Sequence, residues 1–255
     1  MRPRIRGFQG PYSPEQKTTW VAQPIATACF YTFAFLFLDG DRLTWVVASY
    51  SACFAVLLGT WYACESMDPS TEGGLHCLPM RESQKKARYC AACRKSVPGM
   101  DHHCAWLNTC IGKRTYVHFY FLSMSGAAAA TIESAVFVLL LTSWIDEAAA
   151  EEKFGSVTGY KAVLGTFTAL VMILAFAFVS LWLFHTYLLT QGIGTYGWLV
   201  RKRERAQAAK TRARVQAAEK EKAKKKQRDN EEKERKENKQ SGNVENGHGI
   251  AMTVT

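Results

Sequence analysis

Four long apolar stretches decide what this chain can fold into. The first runs from Trp20 to Leu38 and is interrupted only near its start, by Gln23 and Pro24. Asp39-Gly40-Asp41-Arg42 reads as a tight turn, and a second block follows at once, from Leu43 to about Cys64. Val117 to Ile145 and Ala162 to Leu189 supply the third and fourth. Each is near or above the ~20 residues that a helix needs to cross a bilayer core of ~30 Å. The 255-residue length would by itself allow one or two soluble domains, but hydrophobic residues gathered into blocks of this size override that reading. The expected architecture is an all-α membrane protein of four spans, 20–38, 43–64, 117–145 and 162–189. In the third span the run Ser125-Gly126-Ala127-Ala128-Ala129-Ala130 permits close helix approach.

Residues 65–116 are polar and too irregular to span a membrane. They contain the stretch CAACRKSVPGMDHHCAWLNTC, Cys90 to Cys110. Cys90 and Cys93 form a C-x2-C pair, His103 follows, and Cys110 closes the set; three thiolates and an imidazole at this spacing suit a closed tetrahedral zinc site. Two reactive groups are left over in the same loop, His102 and Cys104. A thiol two residues from an imidazole is placed to be a nucleophile with its base, and Asp101 is placed to orient that imidazole. Eight cysteines could also mean disulfides, but a zinc pattern among Lys and Arg points to a reducing, cytosolic face.

Asp101-His102-His103-Cys104, followed by Ala105-Trp106-Leu107-Asn108 and Cys110-Ile111-Gly112, resembles the core of the DHHC-type protein S-acyltransferases (palmitoyltransferases). The likeness is dense over roughly residues 89–122 and weaker outside. It implies that Cys104 takes a long-chain acyl group, palmitoyl above all, from acyl-CoA as a thioester. The group then passes to cysteines of membrane-associated proteins. Lys85, Lys86, Arg88, Arg94, Lys95, Lys113 and Arg114 are candidates to meet the CoA phosphates; orienting the loop toward the cytosol would explain them almost as well. Trp106 and Phe119 are expected at the membrane interface.

The pattern is also broken in places. The four positions of the family's additional zinc site fall on His76, Pro79, Tyr89 and Ser96, and Cys77 lacks partners, so one structural Zn2+ is expected rather than two. Ala105 replaces the proline after DHHC, and Thr115 replaces the asparagine after CIG. Asp68-Pro69-Ser70 stands for DPG. Gly194-Thr195-Tyr196-Gly197 stands for TTxE, with Thr195 left either to hydrogen-bond near the site or, equally, to form a bare helix-end turn. Glu133 is a costly lone acid inside a span, while Cys29, Cys53 and His185 read as ordinary span residues.

Charge sets the orientation. The lead 1–19 (Arg2, Arg4, Arg6), the central domain and the start of the tail (Arg201-Lys202-Arg203) are basic, whereas 39–42 and 146–160 are acidic. The positive-inside rule, and independently the parity of four spans, put both termini and the central domain in the cytosol. The lead has neither the apolar core of a cleavable signal peptide nor a Gly after Met1 for myristoylation. In the tail, 190–255, the stretch 201–240 holds 17 Lys and Arg against 8 Asp and Glu. It reads as an isolated charged helix or a disordered run, or, in its first turns, as a binder of anionic lipid. Nothing aromatic is interleaved there, which argues against nucleic acid. An endomembrane location (Golgi, ER or plasma membrane) follows from the resemblance. The rival to an enzyme is a weak or inactive zinc-stabilised adaptor acting through its tail; a RING-type finger lacks its ligands.

Overall fold

The computed structural model describes residues 2–75, 77–79 and 86–248, with side chains up to 236. Lys85, Arg81 and His76 lie outside the described residues. Four helices are long and apolar enough to cross a membrane: α1 (Pro14–Phe37), α2 (Gly40–Ser66), α3 (Tyr116–Leu141) and, after a short α4 (Glu147–Phe154), α5 (Val157–Thr190). Several helix ends have a local cause. Ser13 caps α1, its hydroxyl accepting from the Gln16 amide, and Pro14 occupies the first turn, where it costs no hydrogen bond. Asp146 caps α4 in the same way; Gly155 ends it at φ 70°, and Ser156 starts α5 by accepting from the Gly159 amide.

The expected 39–42 turn is shorter than its composition implies. α2 begins at Gly40, so Asp41 and Arg42 form its first turn and the connection from α1 is only Leu38-Asp39. Within the bundle α3 packs against both α2 and α5, and it is the most buried of the four spans. The small-residue run lies at the α3–α5 contact: a Cβ on Gly126 would fall 2.6 Å from the Phe178 ring. Phe30, Phe33, Tyr50, Phe137, Tyr160 and Leu164 fill the bundle core toward the 146–156 end, with Tyr160 donating to the Leu140 carbonyl at 3.0 Å. Glu133 is buried there, close to Tyr50.

Between α2 and α3 the fold departs from pure helix. β1 (Ala87–Cys90) pairs antiparallel with β2 (Lys95–Pro98), and β3 (His102–Cys104) with β4 (Thr109–Ile111). Strands of three or four residues are too short to show a period, which is why sequence pattern does not disclose them. Tyr89 faces Ser96 across the first hairpin, so two of the substituted zinc positions are spent on a strand pair. A further helix, α6 (Thr195–His248), follows α5. From Leu199 onward it forms a compact unit of its own, exposed along its described length apart from one half-buried residue near its start. It is held by local pairs such as Glu232–Lys236 at 2.8 Å.

Candidate active site

The two hairpins converge on one cluster. Donor atoms of Cys90, Cys93, His103 and Cys110 all lie within 4.8 Å of one another. His103 Nδ1 sits 3.7, 3.4 and 3.7 Å from the sulfurs of Cys90, Cys93 and Cys110, and the Cys93 and Cys110 sulfurs are 3.5 Å apart. A tetrahedral ion with Zn–S ~2.3 Å and Zn–N ~2.0 Å separates its donors by roughly 3.5–3.8 Å, so these residues fit zinc. The chemistry of the set agrees. The hydrogen bond from Cys110 pulls the Cys93 thiol down to about 4 and pushes that of Cys110 upward. Three sulfurs this close become thiolates together only around a cation. The register His103↔Cys110 brings two ligands opposite each other, and Cys90 and Cys93 come from the β1 end and its turn.

Cys104 is not among the four donors. It ends β3 one residue beyond the ligand His103 and is half-buried. It interacts with the neighbouring His102, whose Nδ1 bonds Asp101 Oδ2 at 2.9 Å. Burial opposes a charge on His102, but the bonds to Asp101 and Cys104 outweigh it and the imidazole is pushed up to about 9. Asp101, itself buried, is fixed from a distant part of the chain. The Thr195 amide donates to its Oδ1 at 3.0 Å and the Thr195 hydroxyl to its Oδ2 at 2.5 Å. Thr195 thus bonds Asp101 even with its neighbouring motif residues changed.

One participant escaped the sequence reading. His185, on α5, lies with its ring 5.8 Å from that of His102 and 4.9 Å from that of Phe119, and its Nδ1 is 3.1 Å from the Tyr116 hydroxyl. A histidine inside an apolar block carries no local mark to separate it from a packed core residue. Phe119 is buried, its ring in a T-shaped contact with that of His102 at 5.2 Å between centroids. Trp106 is exposed.

The N-terminal segment is stitched to the same loop. The Arg4 amide donates to the Cys93 carbonyl at 3.0 Å, and Ser13 Oγ to the Ala105 carbonyl at 2.5 Å. Asn108, at φ 50°, reaches the carbonyls of Gly7, Gln9 and Pro11 at 3.4, 3.5 and 3.2 Å. Gly7 is required by space: a Cβ would lie 2.4 Å from the Leu107 carbonyl oxygen. Gln16 ties the segment to α2 by donating to Glu65 Oε2 at 2.9 Å. These polar and backbone contacts have no periodic trace in the sequence.

The basic residues divide. Lys95 is engaged by Asp68 at 2.6 Å and by the Ile5 carbonyl at 2.9 Å. Arg88 donates to the Met100 carbonyl at 2.8 Å and lies over the Tyr196 ring. Arg114 bonds Thr71. Lys86 and Arg94 are exposed, and Lys113 is half-buried.

A family model described as DHHC palmitoyltransferase matches residues 75–202, half of the chain. The chain belongs to the DHHC palmitoyltransferase family. It is 31% identical over 147 residues to "Probable protein S-acyltransferase 20" of Arabidopsis thaliana, covering 54% of this chain and 21% of that protein. It is 30% identical over 117 residues to "Probable protein S-acyltransferase 7" of the same plant, covering 44% and 25%. Over 40 residues it is 45% identical to "Palmitoyltransferase erf2" of Schizosaccharomyces pombe, covering 16% and 11%. The matched stretch thus spans at most a quarter of these relatives' lengths. As a DHHC family member with four candidate spans, the chain is an integral membrane protein.

Proposed function

We propose that this chain is a protein S-acyltransferase that moves a long-chain acyl group, palmitoyl foremost, from acyl-CoA to cysteines of membrane-associated proteins through Cys104. One observation carries the reading: Cys104 lies outside the four-donor cluster and next to a His102 that Asp101 holds at 2.9 Å. His102 takes the proton of Cys104, and the sulfur attacks the thioester carbonyl. The carbon–sulfur bond to CoA breaks, and His102 returns the proton to the departing CoA sulfur. An acceptor cysteine then attacks the acyl-Cys104 thioester, its proton passing by way of His102 to the Cys104 sulfur. Asp101 keeps the imidazole oriented and stabilises its charged form. Cys90, Cys93, His103 and Cys110 would hold one Zn2+, whose role with four protein ligands is to fix the loop rather than to activate water.

The acyl chain belongs among the spans and the CoA in water. Lys86 and Arg94 are the exposed candidates for its phosphates, with Lys85, Arg88, Lys95, Lys113 and Arg114 as further basic neighbours. The basic lead, central domain and tail support a cytosolic placement of all three, in a membrane of the endomembrane system, and the tail's first turns suit anionic lipid. The test is direct. Purified protein incubated with labelled acyl-CoA should acquire a hydroxylamine-sensitive label that Cys104→Ser abolishes. Absence of any adduct would favour the adaptor reading, to which the altered Ala105 and Gly194–Gly197 positions lend some weight.

A further inference from the structure

The catalytic groups and His185 form a second metal-ligating cluster. Asp101, His102 and His185 each bring one donor atom to within 4.8 Å of the others. None of them belongs to the four-donor set that binds the hairpins. We propose that Asp101, His102 and His185 make an exchangeable site for Zn2+ or a similar borderline divalent ion, and that its occupation switches Cys104 off.

Two imidazoles and a carboxylate are the donor types that such ions select. All three are preset by contacts of their own. Tyr116 holds His185 at Nδ1 (3.1 Å), the kind of outer hydrogen bond that fixes the ring of a ligating histidine. Thr195 fixes both oxygens of Asp101. The His102 and His185 rings are further held by Phe119. The route in is open on one side, since the His102 side chain is 25% exposed while that of Asp101 is fully covered. An ion entering there takes the place of the proton shared by His102 Nδ1 and Asp101 Oδ2, and that proton leaves to solvent. His102 is then occupied by a cation and no longer accepts the Cys104 proton.

The binding stands on geometry alone; the inhibition rests on the acyltransferase reading above, and the experiment separates the two. The 255-residue chain in micelles, loaded with one equivalent of Zn2+, is titrated with Co2+. A second equivalent should bind and develop the visible d–d absorption of a low-coordinate Co2+ centre, and acyl-enzyme formation should fall in step. His185→Phe keeps a flat ring against Phe119 and Tyr116 but removes the nitrogens. It should retain the first equivalent and shift half-saturation, and half-inhibition relative to its own metal-free rate, upward by about ten-fold or more. Should that variant lose the first equivalent through misfolding, His185→Gln is read instead. No second equivalent in the wild-type protein, or an identical Co2+ titration in the His185 variants, overturns the proposal. A His185-dependent second equivalent in a protein that forms no acyl-enzyme at all would uphold the site and overturn the acyltransferase reading.

Discussion

Thr195 acts on the reactive sulfur through two intermediaries: it fixes Asp101, Asp101 orients His102, and His102 faces Cys104. Thr195→Val keeps the backbone donor to Oδ1 and removes the hydroxyl from Oδ2. Hydrogen bonds to a charged group contribute about 1.5–3 kcal/mol, so the single-turnover rate of acyl-enzyme formation should drop roughly 10- to 100-fold. Zinc content should stay unchanged, and Thr195→Ser should recover most of the rate. The residues of this site differed in how far the sequence exposed them. Cys90, Cys93, His103 and Cys110 were legible because ligand spacing is local and few folds other than a metal loop use it. Thr195 was legible as a remnant of a motif. His185 was not, because its role depends on α5 passing behind the loop, and an apolar stretch reads the same whether or not one face meets an active site. Lys95 was legible as a charge but not as a partner of Asp68, 27 residues away.

At the scale of elements, the four apolar blocks announced four helices, and their ends moved by a few residues where caps decide them. The Ser13 cap starts α1 six residues ahead of the apolar block, and Ser156 starts α5 five residues ahead. The hairpins and the N-terminal segment were hidden for a common reason: both are held by backbone hydrogen bonds and single polar side chains, which leave no hydrophobic period. That segment gives a sharp test. Gly7→Val must push against the Leu107 carbonyl, at an overpacking cost of about 1–3 kcal/mol. It should release the segment, which trypsin would then cleave faster at Arg4 and Arg6. The same change should slow labelling of Cys104 by acyl-CoA, because Ser13 and Asn108 hold the backbone on either side of Trp106 and Leu107.

For the molecule as a whole, the spans carry the bulk of the helix while, on the proposed reading, the Cys90/Cys93/His103/Cys110 cluster with its zinc would carry the geometry of the site. Stability and activity should therefore separate. Stripping zinc with a strong chelator should leave the far-UV circular dichroism nearly unchanged, since β1–β4 contribute little to it. Acyl-enzyme formation should disappear, and readdition of Zn2+ should restore it. Loss of the helical signal along with the activity would mean that the bundle depends on the metal. The pinned loop also constrains the other party to the reaction. If the proposed zinc is bound, a Cys104 sulfur held by a strand pair, that ion and a stitched N-terminal segment has no freedom to travel toward an acceptor. On the proposed reaction the motion must come from the recipient protein, which would favour cysteines carried on slack, unstructured polypeptide tethered close to the bilayer over those set in rigid folded surfaces.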